Sequence, residues 1–189
     1  MVKIIGISGS LRAGSFNTNL LRLAAELMPD GSQMMVETLH GIPLYDADLE
    51  ASEGIPARVT QLKEAVADAD GLLLATPEYN NSIPGVFKNG IDWLSRPASD
   101  IAHVFGGKPV AIIGASPGGF GTILSQNAWL PVLRTLRTEP WFAGRLLVSH
   151  AGNLFNTEGK LTDETVTGQI QSFVAGFVAF TESMREKAD

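Results

Sequence analysis

Apolar positions along the chain fall into two alternating kinds of run. Short stretches rich in β-branched residues or leucine occur at Val2, Ile4, Ile5 and Ile7, at Met34, Met35, Val36 and Leu39, at 71–75 (GLLLA), at 110–114 (VAIIG) and at Leu146, Leu147 and Val148. Their length and composition are those of strands, and the uninterrupted ones suit strands buried on both faces. Between them apolar residues recur at spacings of three and four. The sets are Phe16, Leu20, Leu23, Ala24, Leu27; Val59, Leu62, Val66, Ala69; Val86, Phe87, Gly90, Ile91, Leu94; Trp129, Val132, Leu133, Leu136; and Val166, Ile170, Phe173, Phe177, Phe180, Met184. Each predicts a helix with one buried face. Pro56 suits the start of the second helix and Thr162 the cap of the last, while Pro131 falls inside the fourth or close to its start. The stretches 41–54 and 97–107 read as irregular connections.

The order is strand then helix five times over, without a linker or repeat, so residues 1–189 are expected to form one domain. Such alternation gives a parallel sheet with helices on both faces, and five strands suit a flavodoxin-like three-layer α/β sandwich in the order 2-1-3-4-5. That order places a binding crevice at the carboxyl ends of strands 1 and 3, with strand 4 beside it. The three loops richest in Gly, Ser, Pro and Asn follow those strands, at 9–15, 77–85 and 116–121. Three such loops on one edge predict a site.

Composition narrows what the site can do. Hydrophobic residues make up 44% and charged residues 18% of the 189, which is globular. The net charge of −6 argues against a nucleic-acid partner, which needs a basic face. No apolar run is long enough for a membrane span, and Met1-Val2-Lys3 leads into a strand rather than a signal peptide, so a cytoplasmic location is expected. The chain has no cysteine. Disulfides, thiolate nucleophiles and iron–sulfur ligation are thereby removed, and redox chemistry would need a bound cofactor.

The first loop selects its anion by what it lacks. Gly9 and Gly14 have the Walker spacing, but Ser15 and Phe16 stand where a triphosphatase has its Lys and Ser/Thr. Gly6 and Gly9 are three apart, so the dinucleotide fingerprint is missing as well. The hydroxyls of Ser10 and Ser15, the Asn17 amide, the Arg12 cation and the donors of a helix N-terminus suit a single phosphate monoester. An ordinary Gly/Ser-rich turn with no ligand is the competing reading.

Three motifs together resemble the NADPH-dependent FMN reductase family, which includes quinone, chromate and azo reductases of flavodoxin-like fold. They are Gly9, Ser10, Leu11, Arg12, Ser15 and Asn17 (G-S-L-R-x-x-S-x-N); residues 77–96, PEYNNSIPGVFKNGIDWLSR; and G-K-P-V at 107–110 followed by S-x-G-x-x-G at 116–121. The resemblance covers almost the whole chain. It implies that Ser10, Leu11, Arg12, Ser15 and Asn17 hold the phosphate of FMN. Pro77, Glu78, Tyr79 and Asn80 would line the isoalloxazine and ribityl chain, and Ser116, Gly118 and Gly119 the other edge of the ring. It further implies NAD(P)H as co-substrate, a small-molecule electron acceptor, and a homodimer or homotetramer in which outward residues of the helix at 84–96 are candidates for the subunit boundary.

Several single residues have plainer roles than catalysis. Glu78 is read as a loop-shaping or interface residue whose backbone does the binding, since hydride transfer to a flavin needs no protein base. Trp93 is expected at a subunit interface or sheet edge. His40, His103 and His150 lack metal spacing, and Asp46, Asp48 and Glu50 read as a solvated acidic face. Ser116 is not in a nucleophile elbow. Arg12, Arg96 and Lys108 are all candidates for reading a nicotinamide phosphate. The reading that follows is an FMN-dependent NAD(P)H oxidoreductase reducing quinones, flavins, azo compounds or oxyanions. The alternatives are a flavodoxin-type electron carrier and a flavin-free nucleotide-binding regulator.

Overall fold

In a computed structural model, which describes residues 1–187, the chain forms a wholly parallel sheet between two helical layers. The first half runs β1 (Val2–Ser8), α1 (Phe16–Glu26), β2 (Ser32–Thr38), α2 (Ala47–Glu53), α3 (Ala57–Asp68), β3 (Gly71–Ala75) and α4 (Gly85–Leu94). The second runs α5 (Ile101–Val104), β4 (Pro109–Ala115), α6 (Ile123–Thr135), β5 (Glu139–Pro140), β6 (Leu146–Val148) and α7 (Glu164–Glu186). The order is β2-β1-β3-β4-β5, as the alternation predicts, with β6 also on β4.

Strand geometry divides the core in two, because successive side chains leave opposite faces. Val2, Ile4, Leu73, Ala75, Ala111 and Ile113 pack against α1 and α7. Ile5, Ile7, Leu72, Leu74 and Val110 pack against α3, α4, α5 and α6. The buried faces of α1 and α7 follow the spacing read from the sequence, with Leu20, Ala24, Ile170, Phe173 and Phe177 inside.

Five expectations are corrected, the simplest being that the connection at 97–107 contains the short helix α5. The fifth strand is split: Glu139 and Pro140 pair with Pro109 and Val110, then Leu146, Leu147 and Val148 pair with Ile113, Gly114 and Ala115. Residues 141–145 leave the edge between them, and Trp141 turns over α7 with its ring 5.0 Å from Phe173. The connection at 41–54 contains α2, capped by Asp46, and Glu50 on it is not simply solvated. It binds Arg96 at 2.9 Å and accepts from the Tyr45 hydroxyl at 2.9 Å. The Arg96 hydrogen bond holds the Glu50 carboxyl below its ordinary range. Trp93 is fully buried, donating Nε1–H to the Pro43 carbonyl at 2.9 Å. A tryptophan at the end of an amphipathic motif reads as an edge residue until the connection at 41–46 is seen to fold over it. Finally, the cap of α7 is Asp163, whose side chain accepts from Val166 N–H at 2.9 Å, rather than Thr162.

Candidate active site

Parallel pairing brings the carboxyl ends of β1, β3 and β4 side by side, so the loops at 9–15, 77–85 and 116–121 meet on one edge. A cleft of about 270 Å³ lies between them, lined by Ser10, Arg12, Ser15, Phe16, Asn17, Pro77, Glu78, Tyr79, Ala115, Ser116 and Pro117. It contains eight of the twelve residues expected at the site. The exceptions are Leu11, Asn80 and Gly118, each beside a lining residue in the chain, and Gly119, one position further on.

The first loop is organised by its own hydroxyls. Ser8 and Thr18 share a hydrogen bond of 2.8 Å beneath it, Ser10 N–H donates to Ser8 Oγ, and Arg12 N–H donates to Ser10 Oγ. Ser15 caps α1 by accepting from Thr18 N–H at 3.3 Å. The N–H groups of the first turn that lack intrahelical acceptors therefore face the cleft end of α1 with the positive end of its dipole. The guanidinium of Arg12 lies 5.0 Å above the Phe16 ring, and no ion pair engages it among the described residues. Gly9 is required by packing, since a Cβ there would overlap the buried Phe87 ring. Asn17 donates from Nδ2 to the Ala115 carbonyl and accepts at Oδ1 from the Ala115 N–H, both at 2.9 Å.

The second loop folds back as a two-residue turn. Tyr79 and Ser82 exchange both backbone hydrogen bonds at 3.1 Å, and Asn80 and Asn81 between them have φ of 51° and 61°. Positive φ at both central positions marks the mirror-image turn that asparagine tolerates. Tyr79 is left half exposed at the rim. Glu78 reaches sideways: Oε2 accepts from the N–H groups of Leu124 and Ser125 at 2.8 and 3.0 Å, capping α6. Its side chain shapes the loop, as read from the sequence. Below it Thr76 Oγ1 bonds Ser125 Oγ at 2.7 Å and accepts from Trp129 Nε1–H at 3.1 Å.

The third loop is stitched to the chain beyond β6. Ser116 N–H donates to Val148 O, His150 N–H to Gly118 O and Ala151 N–H to Ser116 O, at 2.9, 3.0 and 3.0 Å. Gly118 has no left-handed φ, and a Cβ on it would meet only Ser116 Oγ, at 3.8 Å. Among the described residues nothing demands a glycine there. A flat ligand lying on the loop would.

Of the three cations considered for a nicotinamide phosphate, Arg12 alone lines the cleft. Arg96 follows α4, at the opposite edge of the sheet, and is paired with Glu50. Lys108 precedes β4 at that same far edge, donating to the carbonyls of Ala67 and Ala69, and burial pushes its pKa below the ordinary lysine value. Sequence reasoning missed His40, whose Nε2 bonds the Leu11 carbonyl at 3.1 Å while Nδ1 meets Thr38 Oγ1 at 3.0 Å. Because a carbonyl only accepts, Nε2 carries the proton, and the ring props the first loop from the end of β2. No local motif marks it; the contact exists only because β1 and β2 are neighbours.

The family profile of NADPH-dependent FMN reductases matches residues 2–153. The chain belongs to that family. An NAD(P)H-dependent FMN reductase of Pseudomonas aeruginosa is 41% identical over 184 residues, spanning 97% of each chain. A quinone reductase of Escherichia coli is 43% identical over 182 residues, 91% of this chain and 93% of that one. Among solved structures, the flavoenzyme NAD(P)H:(acceptor) oxidoreductase of Paracoccus denitrificans superposes with a TM-score of 0.85 at 32% identity, covering 97% and 99% of the two chains. The reductase is thus an FMN-dependent NAD(P)H oxidoreductase of flavodoxin-like fold, and a carrier without its own turnover is not favoured. The donor set fits FMN: hydroxyls, a free cation and helix N–H groups at one end, and main chain with unobstructed glycine at the other.

Proposed function

We propose that this reductase is an NAD(P)H:quinone oxidoreductase in which donor and acceptor take turns at one open cleft. The observation that carries the reading is the three-loop edge, a phosphate-binding end joined to a ring-shaped end with no catalytic side-chain constellation between them. Among the described residues no three His, Cys, Asp or Glu side chains gather as a metal site. Bound FMN supplies the hydride acceptor and the two-electron donor. The protein supplies placement. Ser10, Arg12, Ser15 and the first turn of α1 hold the phosphate, Leu11 contributes backbone, and residues 77–80 with Ser116, Gly118 and Gly119 border the ring. The relatives named for quinone and FMN reduction support a quinone or a free flavin as acceptor.

No helix among the described residues is long and apolar enough to cross a membrane. We assign the enzyme to the cytoplasm as a homodimer or homotetramer. The outward side of α4 carries the half-buried Lys88–Asp92 pair, whereas Leu124, Leu130 and Phe142 stand exposed on α6 and the 141–145 excursion and offer the apolar area for assembly. Light scattering measures the state.

The deciding experiment is a visible spectrum of purified protein with FMN, before and after anaerobic NADPH, followed by addition of benzoquinone. Bleaching and then recovery of the flavin bands, without any partner protein, is expected. No bleaching with NADH or NADPH would overturn the reading, and bleaching only with an added partner reductase would make the chain a carrier.

A further inference from the structure

We propose that Asn17 is a positioning residue, setting the separation between the phosphate end and the ring end of the site, rather than a ligand of the phosphate. The proposal rests on the FMN reading above. Asn17 lies in the first turn of the helix that receives the phosphate, yet its buried amide is turned toward β4, where it satisfies both the N–H and the C=O of Ala115 at 2.9 Å. The two residues are 98 positions apart in sequence.

The sheet register explains why Ala115 needs it. Ala75 pairs with Ile113, so continuing the β3–β4 ladder would set residue 77 opposite Ala115. The chain turns away there instead, into Pro77 and the loop that follows. One side-chain amide then takes the place of the missing strand, donating and accepting at a single residue's main chain. Swinging the amide away to a phosphate would strip Ala115 of both partners in a buried place, which is costly.

The consequence is geometric. Ala115 is the last residue of β4 and leads directly into Ser116, Gly118 and Gly119. Asn17 therefore clamps the start of the ring-bordering loop to the first turn of the phosphate-binding helix. A ribityl chain has a fixed covalent reach, so the distance between these two ends decides where the ring lies against an incoming hydride donor. Misplacing a reacting atom by an ångström costs up to about a hundredfold in rate.

The test separates positioning from ligation by comparing FMN with riboflavin, which lacks the phosphate. In flavin-free protein, Asn17→Ala and Asn17→Ser are expected to weaken both flavins by the same factor, on the order of tenfold for two lost hydrogen bonds, leaving the FMN/riboflavin ratio unchanged. Arg12→Ala calibrates the other behaviour, weakening FMN alone. If the Asn17 variants weaken FMN but not riboflavin, the proposal is overturned. A second arm needs no variant: amide hydrogen exchange at Ala115 in the wild-type protein, measured with and without FMN. Slow exchange in both states is expected, whereas FMN-induced fast exchange would show the amide leaving for the phosphate and sink the proposal. A wild-type protein that binds FMN but is inert to NAD(P)H would instead overturn the function proposed above, leaving these results standing.

Discussion

At the scale of single residues, two glycines of the site have opposite obligations. Gly9 is held by the protein itself, since a methyl there would drive into the buried Phe87 ring. Gly9→Ala should cost about 1–3 kcal/mol of stability, as overpacked cores do, measured by denaturant unfolding. Gly118 has only Ser116 Oγ within reach of a new methyl. Gly118→Ala should keep stability within about 0.5 kcal/mol, as surface changes do, while weakening FMN in a fluorescence titration. A loss of stability at Gly118 comparable to that at Gly9 would refute the idea that its glycine serves a ligand. The sequence shows both as members of Gly/Ser-rich loops and cannot separate them, because the neighbour that distinguishes them, Phe87, lies 78 positions from Gly9 (87 minus 9). Ser15 was legible as a hydroxyl of the first loop and its capping of α1 was not read; nor was the role of Asn17, because its partner is on another strand.

At the scale of elements, side chains from one loop terminate another's helix. Glu78 caps α6, and Glu78→Ala should lose about 0.5–2 kcal/mol, the usual worth of an N-cap, with Glu78→Gln losing less because it keeps an acceptor. Equal unfolding midpoints for wild type and Glu78→Ala would exclude the cap. A second inter-element bond titrates. The pKa of Glu50 is lowered by its hydrogen bond to Arg96, so its contribution is present above the ordinary value of 4.5 and is lost as pH falls through the lower folded value. The melting-temperature gap between wild type and Glu50→Gln should therefore be widest near neutrality and close in acid. A gap that stays constant with pH would mean the charge is irrelevant. Helices were legible because their apolar period is carried by neighbouring residues. The split of the fifth strand and the burial of Trp93 were not, since each depends on what a distant segment lays against it.

For the molecule as a whole, function and stability share a ligand. FMN that binds the folded chain and not the unfolded one should add about 2.7 kcal/mol at a hundred times its dissociation constant, seen as a rise in melting temperature that riboflavin reproduces only in part. No rise with FMN would contradict a site organised around its phosphate. The sheet order and the meeting of three loops followed from the alternation of strand and helix. A phosphate end was legible from the first loop's chemistry and the flavin only from the family resemblance, while the subunit arrangement was not legible, since exposed apolar residues such as Phe142 sit in a stretch without periodic pattern.

The turn at Asn80 and Asn81 bears on how quickly a flavin can come and go. Both residues hold left-handed backbone angles, locked by the chain's own paired bonds between Tyr79 and Ser82. A ledge already set in that shape leaves little ordering to be done at the moment of capture. Stopped-flow loading should then show a single phase whose rate rises linearly with FMN concentration, with no plateau from a slow rearrangement.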